Sequence, residues 1–174
     1  MCKLAQKILI VSDTHGKLDY FKKALAAEKP VDRVIHAGDI YDQAGEFTKL
    51  CDCPVDIVRG NNDFDFSLPS DENIFIGNAK VFLTHGHRYS VSWGLRKLEE
   101  EAEKRKAGMV IYGHTHYPDV TYKGNKIFLN PGSISSPRQP GRKHTYAVIA
   151  VSDEGEITFE LKSLEGAANP AEIS

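Results

Sequence analysis

Five short apolar runs, each leading into a side chain that binds metal well, limit what this chain can fold into. Ile8-Leu9-Ile10-Val11 leads to Asp13 and His15, Val34-Ile35-His36-Ala37-Gly38 to Asp39, and Val55-Asp56-Ile57-Val58-Arg59-Gly60 to Asn61. Val81-Phe82-Leu83-Thr84 leads to His85, and Met109-Val110-Ile111-Tyr112-Gly113 to His114 and His116. Apolar runs of this length bounded by turn residues read as buried strands. In open α/β sheets the ligand crevice lies beyond the carboxyl ends of the strands, so these side chains are expected along one edge of the fold.

Between the runs the pattern alternates strand with helix. Strands are predicted at 8–12, 34–37 and 55–59, with a helix from Leu18 that Pro30 stops and a weaker one over 45–51. That rhythm belongs to a parallel sheet. Gly77-Asn78 between Asn73–Ile76 and Ala79–Thr84 reads as a two-residue hairpin. The segment 93–106 reads as a helix whose charge run is a solvated face. After a strand at 109–112, further strands are expected near 119–123, 126–130, 145–151 and 156–162, with turns at Gly124-Asn125 and Glu154-Gly155. These last segments are expected to add a mostly antiparallel sheet.

At 174 residues the chain fits one domain, expected over 1–165, with 166–174 as a loose tail. The formal charge of −2 argues against general nucleic-acid binding. Cys2, Cys51 and Cys53 are an odd number without the second half of a zinc motif, and read as reduced thiols. No run approaches the length of a membrane span, and the first apolar run is too short for a secretory signal. A cytoplasmic protein with no membrane contact is the expectation, and a homo-oligomer stays open.

Two divalent ions require rigidly held oxygen and nitrogen donors and a group that bridges them. Asp39 is the natural bridge, since its carboxylate has two oxygens and it stands between the other ligand segments in chain order. Asp13-x-His15 offers a carboxylate and an imidazole from one loop, and His114 and His116 can serve one ion each. A set this rich in imidazole suits transition metals, with manganese foremost and nickel, zinc, iron or cobalt as alternatives. Taken singly, Asp-x-His can cap a helix and Gly-Asp-x-x-Asp is common loop chemistry. Joint occurrence, each motif after a strand, raises the set above those readings.

Asp13-x-His15, Gly38-Asp39-x-x-Asp42, Gly60-Asn61-Asn62-Asp63, Thr84-His85-Gly86-His87 and Gly113-His114-Thr115-His116 resemble the motifs of the calcineurin-like metallophosphoesterases. The short spacings and Asn130-Pro131-Gly132-Ser133 look most like the small prokaryotic YfcE-like phosphodiesterase branch. The resemblance runs from residue 7 to 162 in motif order and implies a two-sheet α/β/β/α sandwich. It implies one metal held by Asp13, His15, Asp39 and His116, and a second held by Asp39, Asn61, His85 and His114. The implied reaction is phosphodiester hydrolysis by in-line attack of a hydroxide bridging ions about 3.5–4 Å apart. The expected partner is a small phosphoester substrate. A phosphomonoesterase with the same metals is one alternative, and a non-catalytic platform like the retromer subunit sharing this fold is another.

The catalytic group is expected to comprise Asp39, Asn61 and His87. His87, two residues past a ligand, is placed to donate to substrate, against the plainer reading of a histidine bonded within its own turn. Asn62 departs from the superfamily, many members of which carry histidine there. An amide donates a hydrogen bond but supplies no proton, so esters with good leaving groups are the expected substrates. Asp42 and Asp63 either orient ligands or brace their loops, while His36 and His144 read as structural. Arg138 and Arg142 sit in a polar loop where solvated arginines are the commoner case.

Overall fold

A computed structural model describes residues 4–167. In chain order the elements are β1 (Leu4–Val11), α1 (Asp19–Glu28), β2 (Arg33–His36), α2 (Ala44–Lys49), β3 (Val55–Ile57), β4 (Asp71–Ile76) and β5 (Ala79–Thr84). α3 (Arg96–Arg105), β6 (Met109–Ile111), β7 (Pro118–Lys123), β8 (Lys126–Pro131), β9 (Thr145–Ser152), β10 (Ile157–Ser163) and β11 (Gly166–Ala167) follow. One sheet has the order β11-β10-β9-β1-β2-β3 and the other β4-β5-β6-β8-β7.

The apolar runs explain the layers. Successive side chains of β1 point to opposite faces. Ile8 and Ile10 enter the core between the sheets, with Ile35, Val81, Leu83, Ile111, Leu129 and Ile149. Leu9 and Val11 face the other way, against Phe21, Leu25 and Phe47 of the first two helices. Phe82, Val110 and Phe128 back the second sheet onto Leu98 and Ala102 of α3. Both faces of each sheet are covered, which is why the central strands read as unbroken apolar runs rather than alternating ones. The result is the expected α/β/β/α sandwich.

The central strands run parallel: β1 pairs with β2 and β2 with β3, while β6 lies parallel to both β5 and β8. Their carboxyl ends, and the loops that follow, therefore collect along one edge. α1 stops where expected, Lys29 turning extended (φ −54°, ψ 139°) ahead of Pro30. α3 begins at Arg96 rather than 93, because Gly94 at φ 131° breaks the helical path after a 3-10 turn over Val91–Trp93. Its charged face forms Arg96–Glu100 and Arg105–Glu101 pairs on the surface side.

The late strands differ from expectation. They do not form a separate antiparallel sheet: β7 and β8 extend the second sheet, whereas β9 returns to pair antiparallel with β1 and carries β10 beside it. Three buried apolar residues of β9, Ala147, Ile149 and Val151, need the same inter-sheet core that Ile8 and Ile10 fill, and that demand sets the pairing. Gly166 and Ala167, expected in the tail, pair with β10. The rest of that tail, and Cys2, lie outside the described residues.

Candidate metal centre

The ligand segments leave their strands through backbone that few residues adopt. Asp13 (φ 55°), His15 (46°), Asp39 (58°), His114 (71°) and His116 (62°) all lie in the left-handed region. Non-glycine residues pay roughly 1–3 kcal/mol each for such conformations and hold them where the surroundings over-determine the geometry. Cross-links between loops supply that determination. Asp13 N donates to the Gly38 carbonyl, His15 N to the Asp39 carbonyl and Gly113 N to the His85 carbonyl, each at 3.0–3.1 Å. Asp63 accepts from the backbone N–H groups of Asp39, Tyr41 and Gly60 at 2.6–2.9 Å, so it braces two loops at once.

Two glycines permit the close approach. A Cβ on Gly38, itself at φ 99°, would meet the His85 ring at 2.6 Å, and one on Gly60 would meet Asp39 Oδ1 at 2.1 Å. Both loops can approach because these positions carry no side chain.

The side chains converge in two overlapping groups, Asp13 with His15 and His116, and Asp13 with Asp39 and His85. Asp13 Oδ1 lies 3.3 Å from His116 Nε2, 3.7 Å from His15 Nε2 and 3.8 Å from His85 Nε2. Asp39 Oδ2 lies 3.5 Å from His85 Nε2 and 3.8 Å from His15 Nε2. The other oxygen of Asp13 accepts from Ser12 Oγ at 2.6 Å and from His114 N at 3.1 Å. Three imidazoles are fixed from behind: His85 Nδ1 donates to the Ala37 carbonyl (2.7 Å), His116 Nδ1 donates to the Ser136 carbonyl (2.6 Å), and His15 Nδ1 meets the Tyr41 hydroxyl (2.7 Å). A carbonyl can only accept, so at His85 and His116 Nδ1 carries a proton, and Nε2 is the ring nitrogen turned toward the carboxylates, where it can take a proton or a cation.

This donor set fits divalent cations. Asp13 Oδ1 and His85 Nε2 are buried without a hydrogen-bond partner, an arrangement that costs free energy unless a cation supplies what is missing. His15 Nε2 and His116 Nε2 face each other at 3.0 Å, a contact between ring nitrogens that requires a shared proton or cation. The electrostatics agree. Burial raises the Asp13 carboxyl, but the charge of His85 and the rings of His116 and His15 outweigh it and hold the group far below its usual range. Asp39, raised by burial, is drawn down to about 2 by His85 and Asn62. His85, lowered by burial, is carried up to about 9 by Asp13 and Asp39. The two carboxylates thus hold positive charge in the middle of the cluster.

Other expected residues stand further out. His114 is half-buried with its ring 5.2 Å from that of His85. His87 lies 5.4 Å from His85 and 6.1 Å from His114, ring centre to ring centre, and its buried Nδ1 has no hydrogen-bond partner among the described residues. Burial and the charge of His85 push it down to about 4. Asn61 is exposed, and it is Asn62 that reaches the cluster, donating from Nδ2 to Asp39 Oδ2 (2.8 Å) and from its backbone N–H to Oδ1 (2.9 Å). The carboxylate common to both groups is Asp13, while both oxygens of Asp39, the expected bridge, are engaged by Asn62. Asp42 is exposed.

His36 is structural, as expected. Burial pushes it down to about 3, its Nδ1 accepts from Gly38 N, and its Nε2 donates to Thr14 Oγ1. Ser12 and Tyr41 were not singled out from the sequence. Ser12 precedes a ligand directly and was open to that inference, whereas Tyr41 reaches His15 across 26 positions with no local signal.

The model of the calcineurin-like phosphoesterase superfamily domain matches residues 7–154, and the chain belongs to that family. A protein named probable metallophosphoesterase YsnB from Bacillus subtilis is 30% identical over 148 residues, 84% of this chain and 85% of that one. Phosphodiesterase MJ0936 from Methanocaldococcus jannaschii is 33% identical over 144 residues, 72% of this chain and 82% of that one. Among crystal structures, a predicted phosphoesterase from Streptococcus pneumoniae matches with TM-score 0.78 at 30% identity, covering 95% of this chain and 93% of its own. Vps29 of Chaetomium thermophilum matches with TM-score 0.75 at 22% identity, covering 95% and 94%, and shares the fold. Among the described residues no helix is long and apolar enough to cross a membrane.

Proposed function

We propose that this chain is a phosphodiesterase working through two divalent transition-metal ions. The observation that carries this reading is the pair of buried, unpartnered atoms Asp13 Oδ1 and His85 Nε2, 3.8 Å apart and flanked by Asp39, His15 and His116. Asp13, His15 and His116, with Asp39 beside them, would hold one ion, and Asp39, His85 and His114 the other, Asn61 completing the second set as in the family motif. Asp13 is near enough to both groups to be shared. When bound, such a pair makes a nucleophile from water at neutral pH and neutralises phosphoryl charge. Manganese is the leading candidate on the mixed nitrogen and oxygen donors, with nickel, zinc, iron or cobalt behind it.

The chain's own groups do the positioning. The Ala37 and Ser136 carbonyls keep His85 and His116 turned inward, and the Asn62 amide steadies Asp39. His87, neutral at pH 7, is placed at the edge of the cluster to donate a hydrogen bond to a phosphoryl or leaving oxygen. Two divalent ions with two carboxylates and one hydroxide leave one net positive charge, the complement of a singly charged diester. The named phosphodiesterase relative supports the same assignment. A cytoplasmic setting accords with Cys51 and Cys53, which are free thiols.

The test is turnover of bis(p-nitrophenyl) phosphate against p-nitrophenyl phosphate by the manganese-loaded protein, with Asp39→Asn as control. The diester is expected to be the faster substrate and the variant to lose about a hundred-fold or more. Faster monoester hydrolysis would make the chain a phosphomonoesterase, and a metal-free, inactive protein would make it a binding platform.

A further inference from the structure

Between β8 and β9 the chain runs from Gly132 to His144 along the wall of the metal cluster. Its first part is pinned: Ser133 Oγ donates to the Asp13 carbonyl and accepts from Ser136 N at 2.8 Å, and Ser135 Oγ donates to the Lys17 carbonyl at 2.9 Å. Its far part is a closed turn, Arg142 N bonding the Gln139 carbonyl and Gln139 Nε2 the Lys143 carbonyl. Gln139 is buried although it lies in a loop. Arg138 and Arg142 therefore project from a braced frame, and with Ser135, Ser136, Pro137 and His144 they line a cleft of 720 Å³.

The charges in this cleft are unbalanced. Neither guanidinium has a hydrogen-bond or ion-pair partner among the described residues. Glu165, the carboxylate that approaches the wall, is held by His144, whose Nδ1 and backbone N–H meet its two oxygens at 2.6 and 3.0 Å. His144 is further fixed by stacking on Tyr20, ring centres 3.9 Å apart. Two forked cations lining one cleft match a phosphoryl anion, which guanidinium groups bind in bidentate fashion. The cleft also adjoins the metal cluster: Ser136, on its wall, supplies the carbonyl that orients His116.

We propose that this cleft is a subsite for a second, non-scissile phosphoryl group, so that the substrate is a phosphodiester carrying a further phosphate. The proposal rests on the phosphodiesterase reading above. An anion held by Arg138 and Arg142 lies beside the scissile ester because Ser136, on the cleft wall, carries the carbonyl that orients His116, and a phosphate elsewhere on the same molecule fills it.

The experiment compares the 5′-(p-nitrophenyl phosphate) ester of thymidine with the same ester bearing a 3′-phosphate, so that the leaving group is constant. The native chain is expected to prefer the second in kcat/KM by about ten-fold or more, and Arg138→Gln with Arg142→Gln to bring the ratio to about one. The paired Lys variants, which keep the charge, are expected to retain most of the preference. An unchanged ratio in the Gln pair, or no preference in the native chain, overturns the proposal. Turnover of neither ester would sink the hydrolase reading instead. Calorimetric titration of the full chain with thymidine 3′,5′-bisphosphate then decides the subsite: a Kd about ten-fold weaker in the Gln pair upholds it and an equal Kd overturns it.

Discussion

Gly38 ties backbone conformation to chemistry most directly. It combines a left-handed φ of 99° with a His85 ring that would lie 2.6 Å from an added Cβ. Gly38→Ala must strain the backbone and displace the ring from its bond to the Ala37 carbonyl, costing about 3 kcal/mol or more. Urea denaturation with metal analysis is expected to show both lowered stability and reduced metal content, and a fully stable, fully loaded variant would contradict this packing. Asn62 gives a second prediction at this scale. It offers an amide where the family resemblance implies imidazole, so Asn62→His is expected to lessen the dependence of rate on leaving-group acidity across substituted aryl diesters. An unchanged dependence would remove the role assigned to the amide, and the loss of its bonds to Asp39 is checked separately by metal content. The clustering of Asp13, His15, Asp39, His85 and His116 was legible because each lies in the loop that follows a strand end. The Asn62 and Tyr41 contacts were not, since they depend on where loops distant in sequence meet.

At the scale of elements, α1 is fastened to the first sheet by its last residue. Glu28, buried, accepts from Tyr146 of β9 at 2.9 Å and pairs with Lys7 of β1 at 2.9 Å and Lys162 of β10 at 2.5 Å. Burial raises its carboxyl, but the two lysines and the tyrosine outweigh it and hold the group below its ordinary value of 4.5. A carboxyl lowered on folding stabilises the protein above its unfolded value, and the contribution fades as pH falls through the folded one. Glu28→Gln is therefore expected to cost about 2 kcal/mol at pH 7, discounted for the partly exposed lysines, and to flatten the loss of stability between neutral and acid pH. Denaturation midpoints at pH 7 and pH 4 check this, and an equal deficit at both would contradict the ion cluster. The helix itself was legible from its spacing and Pro30. The return of β9 to β1 was not, because pairing between residues 4–10 and 147–152 follows from a shared core, and periodicity reports a strand without reporting its neighbour.

At the scale of the whole molecule, two parallel-centred sheets stacked face to face bring their strand ends to one edge, so that loops from both complete one cluster. Asp13 and Asp39 come from the first sheet, His85 and His116 from the second, and sandwich packing is what joins them. The edge position was legible from five runs with one ending each. The split of the late strands between sheets decides the loop that holds Arg138 and Arg142, and it became visible with the fold. The central claim, that this edge is a two-metal hydrolytic centre, is tested most directly by adding manganese in steps to chelator-stripped protein while measuring bis(p-nitrophenyl) phosphate turnover. Activity is expected to be absent at the start and to level off at two equivalents per chain. Turnover that persists without metal, or that levels off at one equivalent, would contradict it.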